Sequence, residues 1–215
     1  MYTCNRPGTR LIAALAFALS GTAQASTVLL SENFNSAIPG TIFAGSVPGS
    51  FVMGGGSVDV LGNLHGSFFL CPDGPGNNCI DLNGSGPGTI RSAASFNLVA
   101  GNTYELSFDL APGPESEYKA TVSLGSHTGV FTAVKGTGFV HMSMLFTQSV
   151  AETGVKVTFS GAVAPGKPAY WGPVIDNVVL TETTPPVPEP ETYAMCLAGL
   201  GLLGAAARRR KAIAV

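Results

Sequence analysis

From Thr27 to Thr181 apolar residues recur at every second position in short runs, and Gly, Pro, Asn and Asp separate the runs. Period two over four to eight residues is the signature of a strand with one face buried. Ser95–Leu110 is the clearest stretch. Phe96 and Leu98 alternate with small or polar neighbours, Ala100-Gly101-Asn102 supplies a turn, and Tyr104, Leu106, Phe108 and Leu110 alternate with Glu105, Ser107 and Asp109. This predicts a hairpin. Tyr118, Ala120, Val122 and Leu124 repeat the pattern, and strands are predicted at Gly129–Val134, Gly138–Thr147, Gly154–Ser160 and Val174–Thr181. The glycine-richer first half predicts strands at Thr27–Ser31, Ser50–Met53, Ser57–Leu61, Ser67–Leu70, Ile80–Leu82 and Thr89–Ala94. About ten short strands with frequent turns and no helix between them imply an all-β domain of two packed antiparallel sheets, a sandwich or jelly roll. The 28 glycines and 11% charged residues would also suit disorder, but the sustained periodicity argues against it.

The pattern breaks at both ends. Met1–Ala25 carries Arg6 and Arg10, an apolar centre at Leu11–Leu19 and the small residues Ala23-Gln24-Ala25. That order is a secretory signal peptide, an N-terminal signal helix delivered to the secretion translocon, with cleavage before Ser26. An uncleaved anchor is the poorer reading, because the apolar centre is too short to span a bilayer. At the other end, residues 185–192 form a proline-rich spacer containing Pro188-Glu189-Pro190. Residues 193–207 form an apolar run and 208–215 a basic tail with Arg208, Arg209 and Arg210. Proline fixes φ and removes amide donors, so the spacer is extended. From Thr192 the uncharged run is 16 residues, short against the roughly 17–25 of an ordinary transmembrane helix. The basic cluster holds the C-terminus in the cytoplasm and leaves the rest outside.

Spacer, short apolar helix and terminal arginines in this order resemble the PEP-CTERM sorting signal of exported bacterial proteins. The resemblance implies a single-pass inner-membrane precursor. It also implies recognition by an exosortase, a membrane-embedded enzyme that cuts near the motif and passes the product to the cell surface or exterior. A tail anchor on a flexible stalk is the alternative.

Between the two signals, residues 26–184 are long enough for one domain with a real core. All 13 acidic residues lie between Glu32 and Glu191, against five basic ones, a net charge of about −8. An acidic domain without a basic stripe argues against nucleic acid and against anionic lipid surfaces as partners. Cys71 and Cys79 flank a Gly/Pro-rich loop, and a disulfide there suits an oxidising exterior and would stabilise by roughly 2–3 kcal/mol. Two thiols without neighbouring His or Cys make a poor zinc site.

Glu32-Asn33-Phe34, Ile80-Asp81-Leu82-Asn83-Gly84, Ala100–Leu110 and the closing Ile175-Asp176-Asn177-Val178-Val179-Leu180 look like the galactose-binding-like jelly rolls found among carbohydrate-binding modules. That resemblance implies the fold and not a function. In such folds a structural calcium often sits between the first and last strands, which makes Glu32 and Asp176 the candidate ligands. Calcium needs six to eight oxygens, and the alternative is that Glu32 is solvated and Asp176 caps a strand end. Tyr170-Trp171, holding the sole Trp in a Gly/Pro loop, is a candidate platform for a sugar ring. The alternative is that Trp171 plugs one end of the sandwich.

Catalytic patterns are missing: Ser85 has no nucleophile elbow, no His-Glu-x-x-His occurs, and His65, His127 and His141 are far apart. Glu115 and Glu117 flank a turn and read as solvated. The expectation is therefore an exported, non-enzymatic surface or matrix protein, structural or adhesive in the exopolysaccharide, with glycan binding as the alternative and a hydrolase or lyase behind both.

Overall fold

The structure, a computed structural model, describes residues 25–43, 46, 47, 49–62, 71, 76–113, 117–185 and 190–212. Residues 1–24 of the signal peptide, Ala23 among them, the strand expected at Ser67–Leu70, His65, Glu115 and the motif residues Pro188 and Glu189 lie outside the described residues. Gln24–Pro185 form one compact unit, and the C-terminal helix belongs to another and is taken by itself.

The strands are β1 (Ser26–Glu32), β2 (Gly40–Ile42), β3 (Ser46–Val47), β4 (Phe51–Gly55) and β5 (Val58–Gly62). They continue with β6 (Asn78–Asp81), β7 (Thr89–Ser92), β8 (Phe96–Leu98), β9 (Thr103–Ala111) and β10 (Tyr118–Leu124). The series ends with β11 (His127–Ala133), β12 (Val140–Thr147), β13 (Glu152–Val155), β14 (Val157–Gly161) and β15 (Val174–Thr183). Every pairing between them is antiparallel. A seven-stranded sheet runs β12-β9-β15-β6-β5-β2, with β1 on β15, and a six-stranded sheet runs β11-β10-β14-β7-β4-β3. A small third sheet pairs β13 with β8. This is the expected all-β sandwich.

The alternation places Tyr104, Leu106, Phe108 and Leu110 of β9 in the core with Val58, Ile80, Ile175 and Leu180, opposite Ala120, Val122 and Phe159 of the second sheet. Phe34, Phe51, Phe159, Phe108 and Phe131 form a chain of ring contacts across the two sheets, with centroids 5.0–6.0 Å apart. Tilted and edge-to-face rings at this spacing add to the burial of their apolar surface.

Two sequence expectations need correction. Phe96–Leu98 and β9 are not a hairpin: β8 pairs with β13, and β9 pairs with β12 and β15. The Ala100-Gly101-Asn102 turn is real, but Gly101 N donates to Gln148 O, and Val99 N to the Tyr104 hydroxyl. The chain turns a corner between sheets there. Gly154–Ser160 is not one strand either. It breaks at Lys156, whose Nζ donates to Ser92 O and Ala93 O, and β13 and β14 join different sheets.

The helix α1 spans Pro190–Ala212, longer than the 193–207 run and continuous into the basic tail. Pro190 opens it, where a missing N–H costs nothing. The added length is polar or charged, so the apolar stretch does not grow. Among the described residues no helix is long and apolar enough to cross a membrane.

Candidate functional sites

Three places hold the candidate residues: the end of the sandwich with Tyr170 and Trp171, the outer face of the seven-stranded sheet, and the C-terminal helix.

The loop between β14 and β15 carries Tyr170 and Trp171. Tyr170 is 53% exposed and Trp171 half-buried, their rings meeting edge to face at 5.5 Å. Trp171 is thus partly covered, and Tyr170 is the more exposed of the two rings. The loop is fastened at its base by the strand end Asp81-Leu82-Asn83. Asn83 Nδ2 donates to Trp171 O (2.9 Å) and Ala162 O (3.3 Å), and Leu82 N donates to Pro173 O (3.0 Å). The Asp81 carboxylate accepts from Asn83 N (2.8 Å) and from the Gly172 amide. A side chain at Gly172 would collide with Asp81 and Asn83, so the loop backbone lies directly on them.

Asp81 is 4% exposed. Burial pushes its carboxyl up to about 8, and the neighbouring Asp59 adds to the rise, while the Asn83 and Gly172 amides oppose it. Asp59 and Asp81 are directly opposed in the β5–β6 ladder. Register carries the same face across the sheet: Asp81 opposes Val174, and Asp176 opposes Asp109, itself opposite His141. Asp59, Asp81, Asp109 and Asp176 therefore share the outer face of the seven-stranded sheet. A small apolar cluster of Cys71, Cys79, Ala111 and Val174, with Leu61 and Phe139 against it, covers part of this face. The Cys71–Cys79 disulfide is formed.

Glu32 and Asp176 do not come together. Glu32 stands opposite Val178 in the β1–β15 ladder, in the core-facing set with Leu30 and Leu180. A bulge between Asp176 and Val179, with Asn177 at φ 50°, shifts the parity of β15 and leaves Asp176 on the outer face. Asn tolerates this left-handed conformation better than most residues. Glu32 spends both oxygens on backbone: Oε1 accepts from Phe34 N (2.8 Å) and Oε2 from Ser50 N (2.5 Å). Asp176 Oδ1 accepts from Asn177 N at 2.7 Å. Two carboxylates on opposite faces of one sheet do not make a calcium cage, and among the described residues no group of three His, Cys, Asp or Glu is placed to hold a metal. The calcium expectation does not fit these residues.

The histidines are separate. His127 stacks on Phe146 at 3.6 Å and its Nε2 meets Gln148 Oε1 at 2.8 Å, whereas His141 Nδ1 meets Asp109 Oδ1 at 3.0 Å on the outer face. Glu152 is held below the ordinary carboxylate range, chiefly by the Ser126 hydroxyl and then by Gln148. Glu117 lies exposed at the start of β10.

Sequence reasoning missed Asp59, half-buried opposite the buried Asp81. Alternation in Val58-Asp59-Val60 correctly turns the acid away from the core, but nothing local says that the outer face is itself covered. Ser26 opens β1 and pairs with Thr183, while Thr184 N donates to Ala25 O at 3.2 Å. At the far end Arg208 and Arg209 are exposed on the helix, and Arg210 lies in its last turn.

A family model for the PEP-CTERM protein-sorting motif matches residues 186–211. No curated protein matches the chain in sequence. Among solved structures, the chain is similar to a cyclase from Fischerella sp. TAU, with 14% identity, 77% of this chain and 100% of that one covered, and a TM-score of 0.49. It is also similar to the CBM22-1 xylan-binding domain of Paenibacillus barcinonensis Xyn10C, with 12% identity, coverage of 76% and 99%, and a TM-score of 0.47. A third similar structure is the C-terminal CBM6 of LamC, a marine laminarinase from Zobellia galactanivorans, with 12% identity, coverage of 73% and 98%, and a TM-score of 0.40.

Proposed function

We propose that this protein is an exported cell-surface or extracellular-matrix component whose C-terminal tail is read and processed by an exosortase. The observation that supports this reading is the PEP-CTERM motif at residues 186–211, appended to a folded acidic β domain. In this reading residues 1–25 are removed before Ser26 during export. The domain of residues 26–184 folds outside, and the spacer of residues 185–192 presents Pro188-Glu189-Pro190 to the enzyme. The run at 193–207 supplies about 22 Å of apolar helix at 1.5 Å per residue, against a hydrocarbon core of about 30 Å. So short a segment suits a temporary hold more than a permanent anchor. Arginines reach the interface with their long stems and set orientation. The test is Arg208→Ala, Arg209→Ala and Arg210→Ala combined, with mass spectrometry of the cell-associated and secreted forms. The unprocessed precursor should accumulate; unchanged maturation would reject the role given to the tail.

For the domain itself we infer a structural or adhesive role in the exopolysaccharide matrix, which needs no dedicated pocket and suits a stable, acidic, disulfide-closed sandwich. A second reading, glycan binding, is favoured by one observation: the exposed Tyr170 ring held edge to face on Trp171. Aromatic faces of this kind pack against the apolar face of sugar rings.

A further inference from the structure

We propose that the folded domain pairs with a second copy of itself through β12, edge to edge and antiparallel about a two-fold axis, so that two seven-stranded sheets become one. β12 is the terminal strand of that sheet and β11 the terminal strand of the other. Both lie on the same side of the sandwich, where His127 of β11 stacks on Phe146 of β12. A terminal strand leaves a row of N–H and C=O groups without strand partners, and such edges are ordinarily kept short or guarded by charge or proline. Among the described residues the other free edges of the two main sheets are guarded. β2 and β3 are three and two residues long, β2 follows Pro39 directly, and β1 ends in the Glu32 carboxylate. β11 and β12 are seven and eight residues long and contain no Asp, Glu, Lys, Arg or Pro.

Packing leaves the same side open. Leu145 of β12 is 67% exposed and Val130 of β11 63%. Met142, Met144 and Phe146 stand opposite Phe108, Leu106 and Tyr104 of β9, in the core-facing row, yet they and Phe131 are only partly buried. A further strand beside β12 would cover this row and take it out of water.

Charge selects the occupant. All 13 acidic residues lie between Glu32 and Glu191, so two copies repel unless they meet where neither presents a carboxylate. The β11–β12 side is such a place. The nearest acids on the seven-stranded sheet, Glu105 and Asp109, are on β9, and His141 engages Asp109. Across a junction of two β12 strands they stand three strand spacings from β9 of the other copy, about 14 Å. That exceeds the Debye length of about 8 Å at physiological ionic strength.

The strand is also complementary to itself. A two-fold axis normal to the sheet sets core-facing residues opposite core-facing ones, so the register must centre on a residue and not between two. Centred on Ser143, it sets Val140 opposite Phe146, His141 opposite Leu145 and Met142 opposite Met144. Centred on Met144, it sets Met142 opposite Phe146 and Ser143 opposite Leu145. Neither register opposes like charges. Each copy spends the same patch, so assembly closes at the dimer. Pairing of this kind belongs to the folded domain and does not involve the sorting tail, and its failure would leave the export reading standing.

Sedimentation velocity of the full-length chain in mild detergent, over about 1–100 μM, should show monomer giving way to dimer by mass action and nothing larger. Ser143 is exposed and faces Ser107 on β9, so Ser143→Glu should leave Tm within about 2 °C of wild type. It sets two carboxylates against each other at the junction and should weaken the dimer by about tenfold or more. Amide exchange of the wild-type chain reads the edge without a variant: every second amide of β12, those turned away from β9, should gain protection as concentration rises. A chain that stays monomeric over the whole range, a dimer that Ser143→Glu leaves equally stable, or growth beyond the dimer would each overturn the proposal. So would protection of those amides that is the same at every concentration, since a segment of the same chain would then cover the edge.

Discussion

Replacing Glu32 separates a structural clamp from a solvated surface acid. Its side chain leaves the end of β1 in the seven-stranded sheet and takes the amide of Ser50, just before β4 of the six-stranded sheet, while also capping Phe34 N. Phe34 is fully buried with φ 53°, a conformation that bulky residues rarely adopt unless held. Gly49 has φ 101°, and a side chain there would run into the Glu32 carboxylate. Hydrogen bonds to a charged group contribute about 1.5–3 kcal/mol each. With partial exposure taken into account, Glu32→Ala should cost about 2–4 kcal/mol. For a domain of this size 1 kcal/mol corresponds to about 2–4 °C in Tm, so the variant should melt roughly 5–12 °C below wild type by circular dichroism or calorimetry. Glu32→Gln should lie nearer to Glu32→Ala than to wild type, because its NH2 group faces an amide donor where an acceptor is required. Excess calcium or a chelator should leave the wild-type Tm unchanged. If both variants melt within about 2 °C of wild type, Glu32 is only a solvated acid and the clamp is refuted. If calcium raises the wild-type Tm by several degrees and Glu32→Ala abolishes the rise, the carboxylate serves a metal instead.

Tyr104→Phe should lower Tm by roughly 2–6 °C, since the hydroxyl accepts from Val99 N at 2.8 Å and donates to Glu182 Oε1 at 2.5 Å, and losing hydrogen bonds to partly buried partners costs about 1–1.5 kcal/mol; a loss under 1 °C would mean that the corner between β8 and β9 is held by packing alone. If the glycan-binding reading holds, Tyr170→Ala abolishes retention of the chain on a polysaccharide array while leaving Tm within about 2 °C of wild type, and equal retention of both chains would exclude the aromatic loop as a glycan face.

The parts of this fold that could be read along the chain are those whose partners do not matter for the pattern. Tyr104 to Leu110 alternate because one face of β9 meets the core whatever lies beside it, and the same holds for Tyr118–Leu124. Pairing is a different kind of information. The local turn at Ala100-Gly101-Asn102 suggests that β8 should fold back on β9, yet β8's partner is β13, more than fifty residues away. Val155-Lys156-Val157 keeps an uninterrupted alternation through the point where the chain changes sheets, because the break is made by Lys156 reaching the distant carbonyls of Ser92 and Ala93. Glu32 and Asp176 both sit on the terminal strands, as the resemblance implied. A single extra residue at the Asn177 bulge puts them on opposite faces, and alternation cannot register that step before the pairing is known.

On the proposed export route, the place of β15 in the sheet bears on the roles of the two ends of the chain. It is the last strand made, yet it lies inside the seven-stranded sheet, bordered by β9 on one side and by β6 and β1 on the other. Until residue 183 has emerged, the first strand has no partner, and the core-facing rows of β9 and β6 lack the neighbours that Ile175, Val178 and Leu180 supply. Pairings so distant in sequence close slowly, because the loop entropy must be met before the contacts form. On the proposed export route the signal-peptide junction at Ala25–Ser26 therefore remains an unpaired, extended segment throughout translocation, the state in which a protease can reach it. Once β15 docks, Ser26 is opposite Thr183 and Ala25 O takes the Thr184 amide, so leader removal belongs before folding. On the same proposed route the tail works in the opposite order. Its spacer begins immediately after β15, and the apolar run behind it reaches the membrane only when the whole domain is across. A segment too short for permanent residence then needs to hold the chain only as long as the last strand takes to find its place.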